Sequence, residues 1–155
     1  PVGEPGEILV RGYNITQGYF NDPEATQETI DEEGWLHTGD IGILDQNGYI
    51  KITDRSKDMF IVGGFNAYPA EIENILCDHP AISQAAVIGI ADERMGEVAK
   101  AFVVLKPNHE LQEDVLAKWA KENMANYKVP RKIEFVEALP ANAAGKVMKY
   151  ILKES

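Results

Sequence analysis

Three features of the sequence predict an α+β fold, a β-hairpin-rich leading piece followed by a small domain with a sheet of three-stranded type flanked by helices. The segment Ile41 to Thr53 alternates apolar and polar residues around Asp45-Gln46-Asn47-Gly48, the pattern of a β-hairpin whose Asn-Gly supplies the turn. Two adjacent strand patterns, Ile82 to Ala91 and Glu97 to Lys106, are followed by helix, strand and helix, so strands and helices come in blocks rather than in strict alternation. Charge divides the chain at Arg55: residues 1–54 hold 11 acids against 2 bases, and residues 55–155 hold 14 against 13.

The elements follow in order. GEILVRG, after a Gly-Glu-Pro-Gly turn, reads as a short strand, with Arg11 at its end as a surface charge. Pro23 and Glu24 suit the first turn of a short helix through Thr29. Glu33-Gly34 then turns into GWLHTGD, where the glycine before Asp40 lets its carboxylate project from a tight corner. Asp at a corner is more often a turn residue than a ligand, and His37 has no cysteine or serine nucleophile beside it, which favours a structural role. The hairpin brings Asp40 and Arg55 to the same end. Such a pair either neutralises itself or holds ribose hydroxyls with the carboxylate and a phosphate or ribose oxygen with the guanidinium.

Asp54-Arg55-Ser56-Lys57-Asp58 forms an exposed joint before the apolar run Met59 to Val62. Gly63-Gly64 allows backbone angles and a closeness of approach that a side chain forbids. Ala70 to Asp78 is predicted helical, with Ile72, Ile75 and Leu76 on one face, and His79-Pro80 ends it. Glu113 to Met124 spaces Val115, Leu116 and Trp119 helically. Lys132 to Glu137 is a third strand and Val147 to Lys153 a closing helix. Between them, Leu139 to Lys146 is a small-residue loop that delivers a lysine at the start of that helix, where a cation is electrostatically disfavoured. Lys128, Arg131, Lys132, Lys146, Lys149 and Lys153 make this last quarter locally basic, either as a solvated face or toward anionic ligands.

Composition narrows the function classes. The net charge is −10 and 45% of the 155 residues are hydrophobic, which suits a globular chain with a substantial core. No apolar run approaches the roughly 20 residues of a membrane helix, and PVGEPGEILV lacks the basic-then-apolar pattern of a signal peptide. The acidic first part argues against a nucleic-acid partner. The one cysteine, Cys77, is expected to be buried in a helix, and a reducing cytoplasm fits. A start at Pro1 rather than Met suggests an excised piece of a longer protein. Oligomeric state stays open.

TGD, GYIKITDRSKD, GGFNAYPAEIE and LPANAAGK occur in one order and spacing that resembles the C-terminal end of the adenylate-forming superfamily: acyl-CoA synthetases, luciferase-like enzymes and peptide-synthetase adenylation domains. The resemblance spans essentially the whole chain and is most similar to bacterial fatty-acyl or related carboxylate–CoA ligases. It implies that residues 1–54 are the last segment of a large domain binding ATP and the acyl group, that 55–57 form a hinge at Lys57, and that 58–155 form a mobile domain. Asp40 and Arg55 would contact ATP or AMP. Lys146 would be the catalytic lysine of adenylation, and Gly63, Gly64 and Asn66 would form the face that admits CoA for thioester formation. Some relatives carry lysine where this chain has Ile61, so any help from that lysine is absent. The resemblance further implies ATP, CoA and Mg²⁺, with no Mg²⁺ ligand expected in this segment and no metal site. No glycine-rich ATP phosphate loop or acyl pocket occurs here, so the 155-residue chain alone is expected to be inactive. Two alternatives are an adenylation domain that passes its adenylate to a carrier protein, and a CoA- or protein-binding module without chemistry.

Overall fold

A computed structural model describes residues 1–153. They fall into two compact units, Pro1–Lys57 and the residues from Asp58 on.

The first unit contains β1 (Pro5–Val10), α1 (Pro23–Thr29), β2 (Leu36–Leu44) and β3 (Ile50–Arg55), its strands forming an antiparallel sheet in the order β1-β2-β3. Pro23 occupies the first turn of α1, and Asp22 Oδ1 caps it by accepting the Ala25 N–H at 3.0 Å. In the β2–β3 turn, Asp45 Oδ1 accepts the N–H groups of Asn47 (2.8 Å) and Tyr49 (2.9 Å), while Gly48 takes φ 85°. The turn therefore needs one left-handed residue, Gly48, and an aspartate ahead of it, rather than a two-residue Asn-Gly corner. Asp40 is also placed differently from the sequence expectation. It lies inside the nine-residue strand β2, because the chain passes through Gly39 at φ 70° as a bulge and continues pairing.

The second unit contains β4 (Phe60–Val62), β5 (Phe65–Ala67), α2 (Pro69–Cys77), β6 (Ile82–Asp92), β7 (Gly96–Leu105), α3 (Glu113–Asn123), β8 (Lys132–Phe135) and α4 (Lys149–Lys153). The three expected strands are β6, β7 and β8. β6 and β7 form a long antiparallel hairpin, and β8 adds parallel to β7 along Lys100 to Val103. The β4–β5 hairpin joins the same sheet through Val62 and Gly96. Strands of three residues carry too little periodicity to be read from sequence, so this hairpin is an addition.

Successive β6 residues point to opposite faces and build two clusters. Val87 joins Ile72, Leu76, Leu116 and Ala120 under α2 and α3, whereas Ala86 and Ile88 join Phe102, Leu139 and Leu152 under α4. Every buried hydrophobic side chain among the described residues lies between Phe60 and Leu152; in the first unit only Gly42 and Asp54 are buried. Three expectations need correction. Cys77 is exposed, because Ile72 and Leu76, four residues apart, take the inward face of α2 and Cys77 lies one step round the helix. Val115 is 49% exposed for the same reason, with Leu116 and Ala120 turned inward. The last helix begins at Lys149, so Lys146 is not a helix-starting cation.

Candidate functional site

The bulged segment Thr38-Gly39-Asp40 is held from both neighbouring strands. On the β1 side, two residue steps from Glu7 to Leu9 oppose four from Ile41 to His37, so Thr38 to Asp40 hold the surplus. Thr38 Oγ1 donates to the Ile8 carbonyl at 2.8 Å and accepts the Asp40 N–H at 3.1 Å. On the other side, Asp40 and Arg55 are register partners, and Ser56 N–H donates to the Gly39 carbonyl at 2.8 Å. Arg55 Nε lies 3.4 Å from Asp40 Oδ1, with the two side chains 60% and 30% exposed. A carboxylate with free lone pairs thus stands beside an open guanidinium fork at the surface. Exposed pairs of this kind contribute at most about 1 kcal/mol to folding, so both groups remain available to a ligand.

A recess of about 380 Å³ opens beside this bulge, with Glu7, Glu28, His37, Ser56 and Lys57 among its lining residues. His37 Nδ1 meets Glu7 Oε2 at 3.1 Å and its Nε2 lies 3.5 Å from Asp31 Oδ2. The hydrogen bond to Glu7 raises the imidazole above its ordinary value, and Asp31 adds to this. Asp31 is itself held low, first by the Trp35 N–H donated to its carboxylate. His37 is therefore structural, paired to carboxylates rather than to a nucleophile. Lys57 is the last residue of the first unit and is exposed.

In the second unit, Gly63 and Gly64 form the β4–β5 turn with φ 56° and 89°, angles that require glycine at both positions without strain. Gly63 N–H donates to the Met95 carbonyl at 2.8 Å, and a Cβ at Gly63 would lie 2.5 Å from Met95 Cε. Around Gly64 nothing comes within 4 Å of such a Cβ, so the turn presents bare, accessible backbone. Asn66 is exposed on β5, opposite the exposed Ile61. Phe65 stacks on Tyr127 with ring centroids 5.0 Å apart, which steadies the far strand of the hairpin.

Lys146 sits on a closed turn rather than a slack loop. Asn142 Oδ1 accepts the N–H groups of Ala144 (3.0 Å) and Lys146 (2.9 Å), and Asn142 N–H donates to the Lys146 carbonyl at 2.9 Å. Gly145 takes φ 78° to close it, and Ala141 pairs with Val147 as an isolated bridge. The lysine side chain is exposed and has no ion pair among the described residues. Of the six basic residues grouped from sequence, Lys128 and Lys149 are neutralised locally: Lys128 Nζ lies 2.6 Å from Glu71 Oε1 and Lys149 Nζ lies 2.7 Å from Glu73 Oε1. The basic face is correspondingly smaller than composition suggested. Glu73 and Lys149 tie α4 to α2 and so seat the turn that carries Lys146. Sequence reading missed this pair because its members lie far apart in the chain and meet only through packing. Among the described residues no three His, Cys, Asp or Glu side chains are grouped to hold a metal ion, and no helix is long and apolar enough to cross a membrane.

Residues 71–146 match the family model of the AMP-binding enzyme C-terminal domain. The chain is 58% identical over 153 residues to a methyl-dioxo-octahydroindenyl-propanoyl:CoA ligase of Rhodococcus jostii, covering 99% of this chain and 30% of that relative. In structure it is similar to ATP-bound MatB from Rhodopseudomonas palustris, with a TM-score of 0.93 and 38% identity over 99% of this chain and 31% of the other. It is likewise similar to the o-succinylbenzoate CoA synthetase of Bacillus subtilis in complex with its acyl-adenylate intermediate, with a TM-score of 0.90 and 39% identity over 100% of this chain and 31% of the other. The chain spans about 30% of the length of the curated relatives it matches.

Proposed function

We propose, from the match of residues 71–146 to the AMP-binding enzyme C-terminal domain family, that the chain works within an ATP-dependent carboxylate–CoA ligase that proceeds through an acyl-adenylate. The carboxylate attacks the α-phosphate of ATP, pyrophosphate leaves, and the CoA thiol then displaces AMP from the mixed anhydride. The observation that carries this reading is the Asp40–Arg55 pair at the bulged end of β2 and β3, 3.4 Å apart and accessible. A carboxylate accepts from two neighbouring hydroxyls and a guanidinium donates to phosphate or ribose oxygens, so together they match the ribose and phosphate of an adenylate.

The remaining roles follow from chemistry and placement. Lys146, held out on the Asn142-closed turn, meets the charge that builds on the α-phosphate. Gly63 and Gly64 offer a turn without side chains along which a pantetheine arm passes, with Asn66 as a polar group on the same hairpin. Lys57, at the end of the first unit, is the residue about which the second unit changes orientation between the half-reactions. Mg²⁺ would supply charge compensation at the nucleotide phosphates when bound. CoA as acceptor is favoured over a carrier protein by the CoA ligase and synthetase relatives.

Lys146→Ala in the complete enzyme tests the reading. Loss of one well-placed electrostatic donor costs roughly 3 to 4 kcal/mol, so acyl-AMP formation should fall about 10² to 10³-fold. Conversion of supplied acyl-AMP and CoA to acyl-CoA should stay near normal. An unchanged adenylation rate, or an equal fall in both half-reactions with the fold intact, would refute the role given to Lys146.

A further inference from the structure

The strand GEILV was read from sequence only as a sheet element, yet one of its side chains reaches the functional bulge. Glu7 stands on β1 opposite Ile41 and divides its carboxylate between two partners. Oε1 accepts the Gly39 N–H at 3.1 Å, and Oε2 meets His37 Nδ1 at 3.1 Å. A bulged residue loses its ladder partner, so the Gly39 amide needs an acceptor from elsewhere, and Glu7 provides it. Glycine at φ 70° has the widest choice of backbone conformations, which makes this the point where the segment most easily relaxes. The Gly39 peptide leads directly into Asp40, whose carboxylate must stand beside Arg55.

We infer that Glu7 is a positioning residue for Asp40: with His37 as counter-charge, it fixes the Gly39 peptide so that the Asp40 carboxylate faces the nucleotide ribose. The inference rests on the ribose-binding role proposed for Asp40. Asp31 holds the far nitrogen of the His37 ring, and Glu28 and Lys57 are the other charged groups lining the recess. The Glu7 hydrogen bond raises the imidazole above its ordinary value, so the charged ring persists to higher pH than in a free histidine. As pH climbs through that raised value Glu7 loses its counter-charge, and its grip on Gly39 loosens.

The test uses the complete ligase with the variants E7A, E7Q, H37Q and D40N, measuring the KM for ATP and kcat in acyl-AMP formation and the KM for CoA with supplied acyl-AMP. E7A should raise the KM for ATP about tenfold, the scale of one charge-assisted hydrogen bond partly lost, and leave the KM for CoA unchanged. E7Q should stay within about threefold of the parent, since its amide oxygen still accepts the Gly39 N–H. H37Q should raise the KM for ATP about threefold and flatten its rise as pH climbs above the ordinary imidazole value of 6.5. An E7A enzyme with the parent's KM for ATP, or with the KM for ATP and for CoA raised alike, overturns the inference. Should E7A not fold, an H37Q enzyme with the parent's KM and pH dependence overturns it instead. D40N separates the two levels: if D40N leaves the KM for ATP unchanged, the ribose-binding role itself fails, and if D40N raises it while E7A does not, only the role of Glu7 fails.

Discussion

Replacing Glu73 by alanine is expected to destabilise the second unit by about 2 to 4 kcal/mol, more than replacing its partner Lys149. One oxygen, Glu73 Oε1, accepts both the Val87 N–H at 2.7 Å and Lys149 Nζ at 2.7 Å, and the two side chains are only 18% and 19% exposed. Alanine removes the acceptor from both. An unsatisfied, largely buried amide costs about 1 to 3 kcal/mol. A fully buried ion that loses its partner costs about 3 to 5 kcal/mol, and a flexible lysine one-fifth exposed recovers much of that by turning toward water. Lys149→Met keeps the aliphatic stem and leaves Glu73 bonded to Val87, so its cost should be about 1 to 2 kcal/mol. Urea unfolding of the 155-residue chain, followed by Trp119 fluorescence in a Trp35→Phe background, measures each value. A double-mutant cycle then isolates the pair. If Glu73→Ala proves no costlier than Lys149→Met, or if the coupling is below about 0.5 kcal/mol, the pair is effectively solvated and the reasoning is wrong.

Three further outcomes are expected. Lys57→Pro in the complete enzyme should impair thioester formation more than adenylation, because proline fixes φ near −65° and a pivot must visit two backbone states; timed sampling of acyl-AMP and acyl-CoA decides it, and equal losses would remove the pivot role. Gly63→Ala should lose about 1 to 2 kcal/mol in urea unfolding from the left-handed backbone alone. A Met95→Ala background should return part of any excess over that loss, since the added methyl meets only the end of a flexible side chain. Burial depresses the His79 imidazole below its ordinary 6.5, and Lys106 adds to this. The neutral ring accepts the Ala81 N–H at Nδ1, so its contribution is full above pH 6.5 and is lost as pH falls through the depressed value. His79→Phe should therefore show a smaller drop in stability between neutral and mildly acid solution than the parent, and an equal drop would exclude this histidine.

Local patterns were legible where local physics decides them. Pro23 with Glu24, the β2–β3 alternation, and the inward spacing of Ile72 and Leu76 all act within a few residues, and each gave its element. Asp40 beside Arg55 was legible too, since hairpin register sets that pairing. Cys77 was misjudged because a hydrophobic neighbourhood in sequence does not say which side of a helix a residue takes. The two-residue surplus at Thr38 to Asp40 lay beyond reach: it exists only against β1, a strand some 30 residues away, as do the Glu7 bonds that hold it. The same holds for Glu73 with Lys149, and for β8, whose parallel partner is chosen by the whole sheet.

The distribution of buried side chains has a consequence for recombination. Among the described residues, all the buried hydrophobic side chains lie between Phe60 and Leu152, and the three-stranded sheet that carries Asp40 and Arg55 buries none. A graft joined between Lys57 and Asp58 would transfer an intact interior with its turn-borne lysine, whereas one joined inside β6 or β7 would split that interior between two parents. Exchange at Lys57–Asp58 should accordingly leave the packing of the transplanted domain undisturbed.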